Sequence, residues 1–494
     1  MFFIYELCQK IIFHFLNFLC LFIKDKKFKR FVYLRDSKVF QKKISELKFN
    51  HNQDIYWFHV ASAGEMEQAI PVARRLSTDL KVKFFVTYYS PSAEPFLKNF
   101  PEILLAIGLP IDVRKNYQCV INKMQIKKIF FVRYDIWPSL YDVCKKNSLQ
   151  INLLSASEKK TKNGIMGFIS TEWNKRYYKN MDNIFAVSKE DFNYFSKQNT
   201  KSKIYLAGDA KWARAFERAK TLSEKKLEKD FSCFISFCLD QKKFMQKKCV
   251  VFGSPHKDEH LIAISLCNFS KDYFIIYVPH DVKEENCLKI KKEFENKNSR
   301  VVLYSDIIKT LRNNLIDETK TNIDIKYNLE IDKNYQINKN YNVYNLKYNA
   351  HFLAEYLNQF EVIIFDKIGY LAEIYEIADA AIIGGGFDGQ IHNVLEAAAH
   401  ATPVLLGNSF HRAREAADLV NSEAAISFQN PNEMFQFLVQ WVSLKERGSD
   451  STSHPSIRLN LTRTKTIELF KSIPDTSEII LNALLLQGGE KRNR

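Results

Sequence analysis

The chain is short of the residues that punctuate or staple small and fibrous proteins. Fifteen Gly and twelve Pro in 494 residues exclude a collagen-like or proline-rich chain. Nine cysteines are scattered at 8, 20, 119, 144, 233, 238, 249, 267 and 287, and no two form a C-x-x-C pair. Zinc-ribbon and thioredoxin-type readings therefore fail, and reduced thiols serving as small apolar residues are expected. Acidic residues are also in deficit: 56 Asp and Glu stand against 72 Lys and Arg, a net charge of +16. Apolar residues make up 46% and charged residues 26%. That composition excludes a wholly disordered protein, and the length fits two large domains or about three of ordinary size.

Residues 2–23, FFIYELCQKIIFHFLNFLCLFI, are long enough to span a bilayer as a helix. Glu6, Gln9, Lys10, His14 and Asn17 interrupt the run at three- and four-residue steps and form one strip. This pattern favours a helix lying in the membrane interface over a clean span. KDKKFKR follows from Lys24 to Arg30 and would hold the next domain against an anionic cytoplasmic face. A cleaved signal peptide fits poorly, because no basic residue precedes the apolar run.

From residue 54 short apolar runs alternate with amphipathic stretches. Strands are expected within 55–62, 81–90, 127–138, 150–157, 183–188 and 203–208, with a helix over 65–77. The alternation restarts at 247–256 and continues through 272–280, 300–306, 361–366, 378–386 and 403–409. Strands alternating with helices imply parallel sheets covered on both faces. The fold class is therefore α/β, with two Rossmann-like domains facing a cleft and ligands beyond the carboxyl ends of the strands. The expected divisions are 1–30 for the membrane anchor and basic flank, 31–209 and 210–477 for the two domains, and 478–494 for a C-terminal helix and tail. Residues 312–350, rich in Asn, Lys and Tyr, read as an inserted disordered loop. Its interleaved Tyr and Lys follow from composition bias, and no nucleic-acid partner is expected.

Several constellations fall at expected strand ends. Ser62-Ala-Gly-Glu65 has the spacing of a capping box, yet Gly64 would let a ligand approach, and a glutamate there can act as general base. Gly384-Gly-Gly386 precedes His392-Asn-Val-Leu-Glu396. Glycines before a helix N-terminus suit a phosphate, Asn393 could bond at the turn, and Glu396 could accept from a ribose hydroxyl. Gly253-Ser-Pro-His256, Pro279-His280 and Asp135-Ile-Trp-Pro138 occupy equivalent places.

The ordered series HVASAGEMEQAIPVARRL (59–76), VTYYSPSAE (86–94), LPIDV (109–113), YDIWPSL (134–140), GDAK (208–211), GSPHKDEH (253–260), VPH (278–280), 365–379 and HNVLEAAAHATPVLLG (392–407) resembles the 3-deoxy-D-manno-octulosonic acid (Kdo) transferases of lipid A synthesis, glycosyltransferase family 30. The resemblance covers most of residues 1–430 and extends to the apolar N-terminus with its basic flank. It implies a GT-B glycosyltransferase, inverting and without a metal or other cofactor. The enzyme would transfer Kdo from CMP-Kdo to a lipid A precursor (lipid IVA) on the cytoplasmic face of a bacterial inner membrane, among its lipids. It further implies Glu65 as catalytic base and Asp135 as a second catalytic acidic residue. Ser62, Gly64 and Arg133 would lie on the acceptor side. Lys211, Ser254, His256, His280, Asp366, Gly369, Gly384, Gly385, Asn393 and Glu396 would bind the donor. The sequence departs from the family pattern at His280, where the family has Arg, at Arg133, where it has an acidic residue, and at Gln390-Ile391, where it has paired glycines. A transferase for another sugar nucleotide, and a non-catalytic member that binds anionic lipid, are the alternatives.

Overall fold

The computed structural model describes residues 2–49, 53–97, 100–158, 174–198, 201–224, 228–244, 247–267, 269, 272–313, 359–411, 413–443 and 454–488. The expected insertion at 312–350 lies almost wholly outside the described residues, as does the tail after 488. The chain divides into two compact units: residues 1–214 with 473–494, and residues 215–472.

The first unit is built on seven parallel strands: β1 (Ile55–Val60), β2 (Lys83–Tyr88), β3 (Ile103–Gly108), β4 (Ile126–Val132), β5 (Gln150–Ala156), β6 (Asn183–Ala186) and β7 (Lys203–Leu206). Their order is β3-β2-β1-β4-β5-β6-β7. Aromatic and β-branched runs such as IYWFHV are buried at every position, as a sheet covered on both faces requires. One face packs Trp57, Phe85, Tyr117 and Phe131 into a core. The other packs Tyr56, Phe58, Phe84 and Phe130 against the helix Ala63–Leu80. The C-terminal helix Thr476–Gly488 joins this second core through Ile480, Leu481 and Leu484. Full burial of each such side chain contributes about 1.5–3 kcal/mol.

The second unit repeats the design with β8 (Lys248–Gly253), β9 (Tyr273–Val278), β10 (Val301–Leu303), β11 (Val362–Ile364), β12 (Ala380–Ile383), β13 (Val404–Gly407) and β14 (Ala425–Phe428). The order is β10-β11-β9-β8-β12-β13-β14, again parallel throughout. Eleven of the fourteen strands fall within the segments expected from sequence, and β4 begins one residue before its segment. The two missed, β3 and β14, are edge strands. ILLAIG lies between prolines as an unpatterned apolar run, and AISF is only four residues long.

In both sheets the chain order reverses at one internal place, between β1 and β4 in the first and between β8 and β12 in the second. At such a switch point neighbouring loops leave in opposite directions and open a crevice at the strands' carboxyl ends.

The N-terminal helix runs Phe2–Leu19, has a mean hydropathy of 1.2 and buries none of its residues. Glu6 Oε1 accepts from the backbone N (2.8 Å) and Nε (2.9 Å) of Arg114 and so ties one side of the helix to the first unit. Phe3, Ile4, Leu7, Ile11, Ile12, Phe15 and Phe18 are exposed. By length and composition this helix could cross a membrane. The basic segment after it enters the helix Lys26–Tyr33, capped by Asp25.

Candidate functional site

The first switch point carries the residues expected to be catalytic. Glu65 stands in the first turn of the helix Ala63–Leu80, directly after β1, and is nearly buried. The Ser62 hydroxyl donates to Glu65 Oε2, and Arg133 Nη1 lies 3.8 Å from Oε1. The capping box suggested by the S-x-x-E spacing is not formed. Ser62 occupies the N-cap position, but its side chain makes no capping bond and turns to the carboxylate instead. One hydroxyl donor and a nearby guanidinium charge on the two oxygens together orient the carboxylate. Gly64 leaves space: a Cβ there would meet only Ser62 Oγ, at 3.9 Å.

Arg133 and Asp135 come from the loop after β4. Arg133 has φ +65°, a left-handed conformation costly for a residue with a side chain. Its backbone N is fixed by Leu154 O at 2.8 Å. Asp135 Oδ2 accepts from Trp137 Nε1 (3.2 Å) and lies 3.0 Å from His59 Nε2. A relay continues inward: His59 Nδ1 is 3.0 Å from Thr87 Oγ1, which accepts from Trp57 Nε1 at 2.9 Å. The Asp135 carboxylate can only accept, so His59 carries a proton on Nε2; the Nδ1 of a neutral ring then accepts the Thr87 hydroxyl hydrogen, while the same hydroxyl oxygen takes the indole N–H. Buried Asp112 anchors the loop from below, accepting from the backbone N of Ser139 (2.9 Å) and Leu140 (3.2 Å). Pro138 begins the helix Pro138–Lys146 that follows the loop, where a missing N–H costs nothing.

Lys211 also sits in the first unit, its backbone N donating to Asp209 Oδ1 at 2.9 Å. The other expected donor residues lie in the second unit. At its switch point Ser254 follows β8 with φ +51°, and Gly384 follows β12. A Cβ on Gly384 would lie 1.9 Å from Ser254 O, so only glycine lets these two strand ends meet. Gly385 takes φ +79°. Glu259, fully buried, joins the same loops: Oε2 accepts from His256 N (3.0 Å) and Oε1 from Gly386 N (3.2 Å). His256 is the N-cap residue of the helix Lys257–Leu266; Glu259 takes its backbone N–H, while its ring turns to Asp388 and His392. Burial raises the Glu259 carboxyl above the usual carboxylate range.

Three histidines gather here. His256 Nδ1 is 2.6 Å from Asp388 Oδ2, and its Nε2 is 3.1 Å from His392 Nε2. The exposed His280, after β9, lies with its ring 4.9 Å from that of His392. Burial, then the two neighbouring imidazoles, push His392 down to about 4. Among the described residues no group of three or more His, Cys, Asp or Glu is arranged to hold a metal ion.

One sequence expectation needs correction. The helix after the glycine turn is a single turn, Leu395–Ala398, so it offers no developed dipole to a phosphate. Asn393 Oδ1 accepts from Leu395 N at 3.1 Å, a bond that uses the amide oxygen and not its Nδ2 donor. Glu396 is ion-paired with Arg218 Nη1 at 2.8 Å, on the helix Ala210–Glu224. Asp366 Oδ1 accepts from Ser305 N at 2.9 Å, and Gly369 has φ +98° with nothing within 4 Å of a Cβ. Sequence reasoning gave no role to His59, Thr87, Arg218, Glu259, Asp388 or His392. Four of them, His59, Thr87, Glu259 and His392, lie within quoted motifs, but each has a partner distant in sequence.

A family model described as 3-deoxy-D-manno-octulosonic-acid transferase (kdotransferase) matches residues 30–214, which contain the whole first site. The chain is related to the Kdo transferases. It is 22% identical to a 3-deoxy-D-manno-octulosonic acid transferase of Rickettsia bellii (78% of this chain, 80% of that one). It is 23% identical to one of Aquifex aeolicus (79% and 86%). A bifunctional glycosyltransferase/methyltransferase of Fusobacterium nucleatum is 22% identical over 78% of this chain, which spans about half (51%) of that protein. Among solved structures, a UDP-GlcNAc 2-epimerase from Neisseria meningitidis aligns over 88% of this chain and all of its own, with a TM-score of 0.54 and 11% identity. That likeness is one of fold, and the fold is the GT-B architecture of two Rossmann-like units.

Proposed function

We propose that the protein transfers Kdo from CMP-Kdo to a hydroxyl of a lipid A precursor, with inversion and without a metal. The arrangement of Glu65 carries this reading. A nearly buried carboxylate, oriented by Ser62 and Arg133, stands at a switch point inside the segment that matches the family model. Glu65 takes the proton of the acceptor hydroxyl as its oxygen bonds to the anomeric carbon of the sugar. The bond from that carbon to the CMP phosphate oxygen breaks, and CMP leaves with the electron pair. Arg133 holds the Glu65 carboxylate and faces the phosphates of the acceptor. Asp135, fixed by His59 and Trp137, orients the acceptor. Ser254, Gly384, Gly385, Asn393 and the histidines contact the donor, and Arg218 presents Glu396 to its ribose. Asp366 and Gly369 support the donor site, and Lys211 supplies positive charge.

The exposed apolar face of the helix Phe2–Leu19 and the basic residues after it support a position at the cytoplasmic face of an inner membrane. A donor other than CMP-Kdo is the second reading, and His280 is the observation that favours it. An imidazole replaces the bidentate guanidinium that the family presents to an anionic sugar.

The test is to incubate the purified protein with CMP-Kdo generated in situ and tetra-acylated lipid precursor, and to weigh the lipid product. A mass increase of one or more Kdo units is expected. No product beside a working control, with turnover of a UDP- or GDP-sugar instead, would overturn the donor assignment.

A further inference from the structure

The contact between His256 and His392 sets a rule for protons. Asp388 Oδ2, 2.6 Å from His256 Nδ1, requires an N–H there. The two Nε2 atoms, 3.1 Å apart, then share one hydrogen. Either His392 donates to a neutral His256, or a charged His256 donates to a neutral His392. Both imidazoles cannot be charged in this geometry, because two N–H groups would point at each other. His280 closes the group, its ring tilted 35° against that of His392. The groups facing His392 come from three strand ends: His256 after β8, His280 after β9, and Asp388 from the glycine turn after β12; behind them Glu259 faces His256 and Asp281 faces His280. While this contact lasts, His256 and His392 together can therefore carry at most one positive charge, and His392 is the one held neutral. Of the group's acidic members, Asp388 and Asp281 are held below the usual carboxylate range, by the His256 bond and by the Lys283 N–H respectively, whereas buried Glu259 is raised.

An anionic group placed between the two Nε2 atoms would reverse this balance. It would accept from both nitrogens at once and separate them, removing the bar to a second proton. We propose that the trio His256, His280 and His392 binds the phosphate of the nucleotide by taking up a proton, so that donor binding is proton-coupled. A fixed arginine would bind the same anion without a proton change. The inference rests on the reading of this site as the nucleotide site, and it adds a pH dependence that the reading alone does not require.

The experiment is calorimetric titration of the full-length protein in detergent with CMP and, separately, with UDP. It is run at several pH values between 6 and 8, in buffers of different ionisation enthalpy. For wild-type protein the expected result is uptake of up to about one proton per CMP and a Kd that rises up to ~10-fold per pH unit. His392→Asn keeps a donor but cannot titrate, and His280→Asn removes only the exposed member; each should flatten the slope. CMP binding without proton uptake would overturn the inference and leave the donor reading intact. Proton-coupled binding of UDP, with none of CMP, would keep the inference and overturn the CMP-sugar reading. Binding of neither would overturn both. An unchanged slope in a folded His392→Asn protein would show that another group takes the proton, and would overturn the assignment to this trio.

Discussion

Arg133 reaches Glu65 across the switch point of the first sheet, its Nη1 3.8 Å from Oε1, although the two residues follow different strands. β1 and β4 are adjacent and parallel, so the loops at their carboxyl ends are neighbours whatever their separation in sequence. The pair is looser than a hydrogen bond, and a bound anion can share the guanidinium. Ser62 donates to the other carboxylate oxygen, so neither partner fixes Glu65 alone.

Glu65→Gln preserves the shape and removes the base. Turnover should fall by ~10²- to 10⁴-fold, the usual contribution of a positioned general base. Nucleotide affinity, measured by calorimetry, should not change. Full activity in the variant would remove Glu65 from the base role.

Arg133→Gly separates charge from conformation. The left-handed backbone at φ +65° suits glycine, so removing the side chain relieves a strain of about 1–3 kcal/mol. The melting temperature should hold or rise while activity falls. A loss of both would mean that the side chain is needed for folding rather than for the acceptor.

Two glycines should respond differently to alanine. At Gly384 a Cβ would collide with backbone, 1.9 Å from Ser254 O, and the loops after β8 and β12 would have to part. A destabilisation of about 1–3 kcal/mol or more is expected. Gly369→Ala meets open space and pays only for its positive φ, about 1–2 kcal/mol. Denaturant melts of the two variants give the comparison directly.

Arg218→Ala removes the ion-pair partner of Glu396 and leaves half-buried Glu396 beside nearly buried Glu373. If Arg218 presents Glu396 to a ribose, CMP affinity should fall about 10-fold while a ribose-free probe, inorganic pyrophosphate, binds as before. An equal loss for both probes would point to a collapsed loop instead.

The sheets were legible in the sequence because their strands are apolar throughout and regularly spaced. IYWFHV and YFIIYV could scarcely be placed elsewhere than between two covered faces. The first site was legible for a related reason: Glu65 and Asp135 sit at strand ends, and parallel order brings strand ends together. What could not be read was pairing at long range. Glu396 looked available because Arg218, 178 residues away, gives no local signal. The S-x-x-E spacing of Ser62 and Glu65 fits two opposite uses of one hydroxyl, and only the side-chain direction decides between them. The one-turn helix after Gly386 escaped notice because HNVLEAAAH has the composition of a longer one.

Acid should weaken the second unit before any substrate is present. An unfolded chain protonates His392 near 6.5, whereas the folded chain holds it neutral down to about 4. Between those values the unfolded state binds the extra proton, so stability falls as pH drops through that window and levels off below it. His260, also lowered by burial, acts with the same sign. Thermal melts from pH 4 to 8 should therefore show a smaller acid-side loss in His392→Asn than in wild type. Saturating CMP should offset the trend, because the liganded site takes up a proton that His392 otherwise refuses. The stabilisation CMP gives should then grow as pH falls from 8 to 6. A ligand-induced shift in melting temperature that stays constant across that range would separate the acid sensitivity of the fold from nucleotide binding.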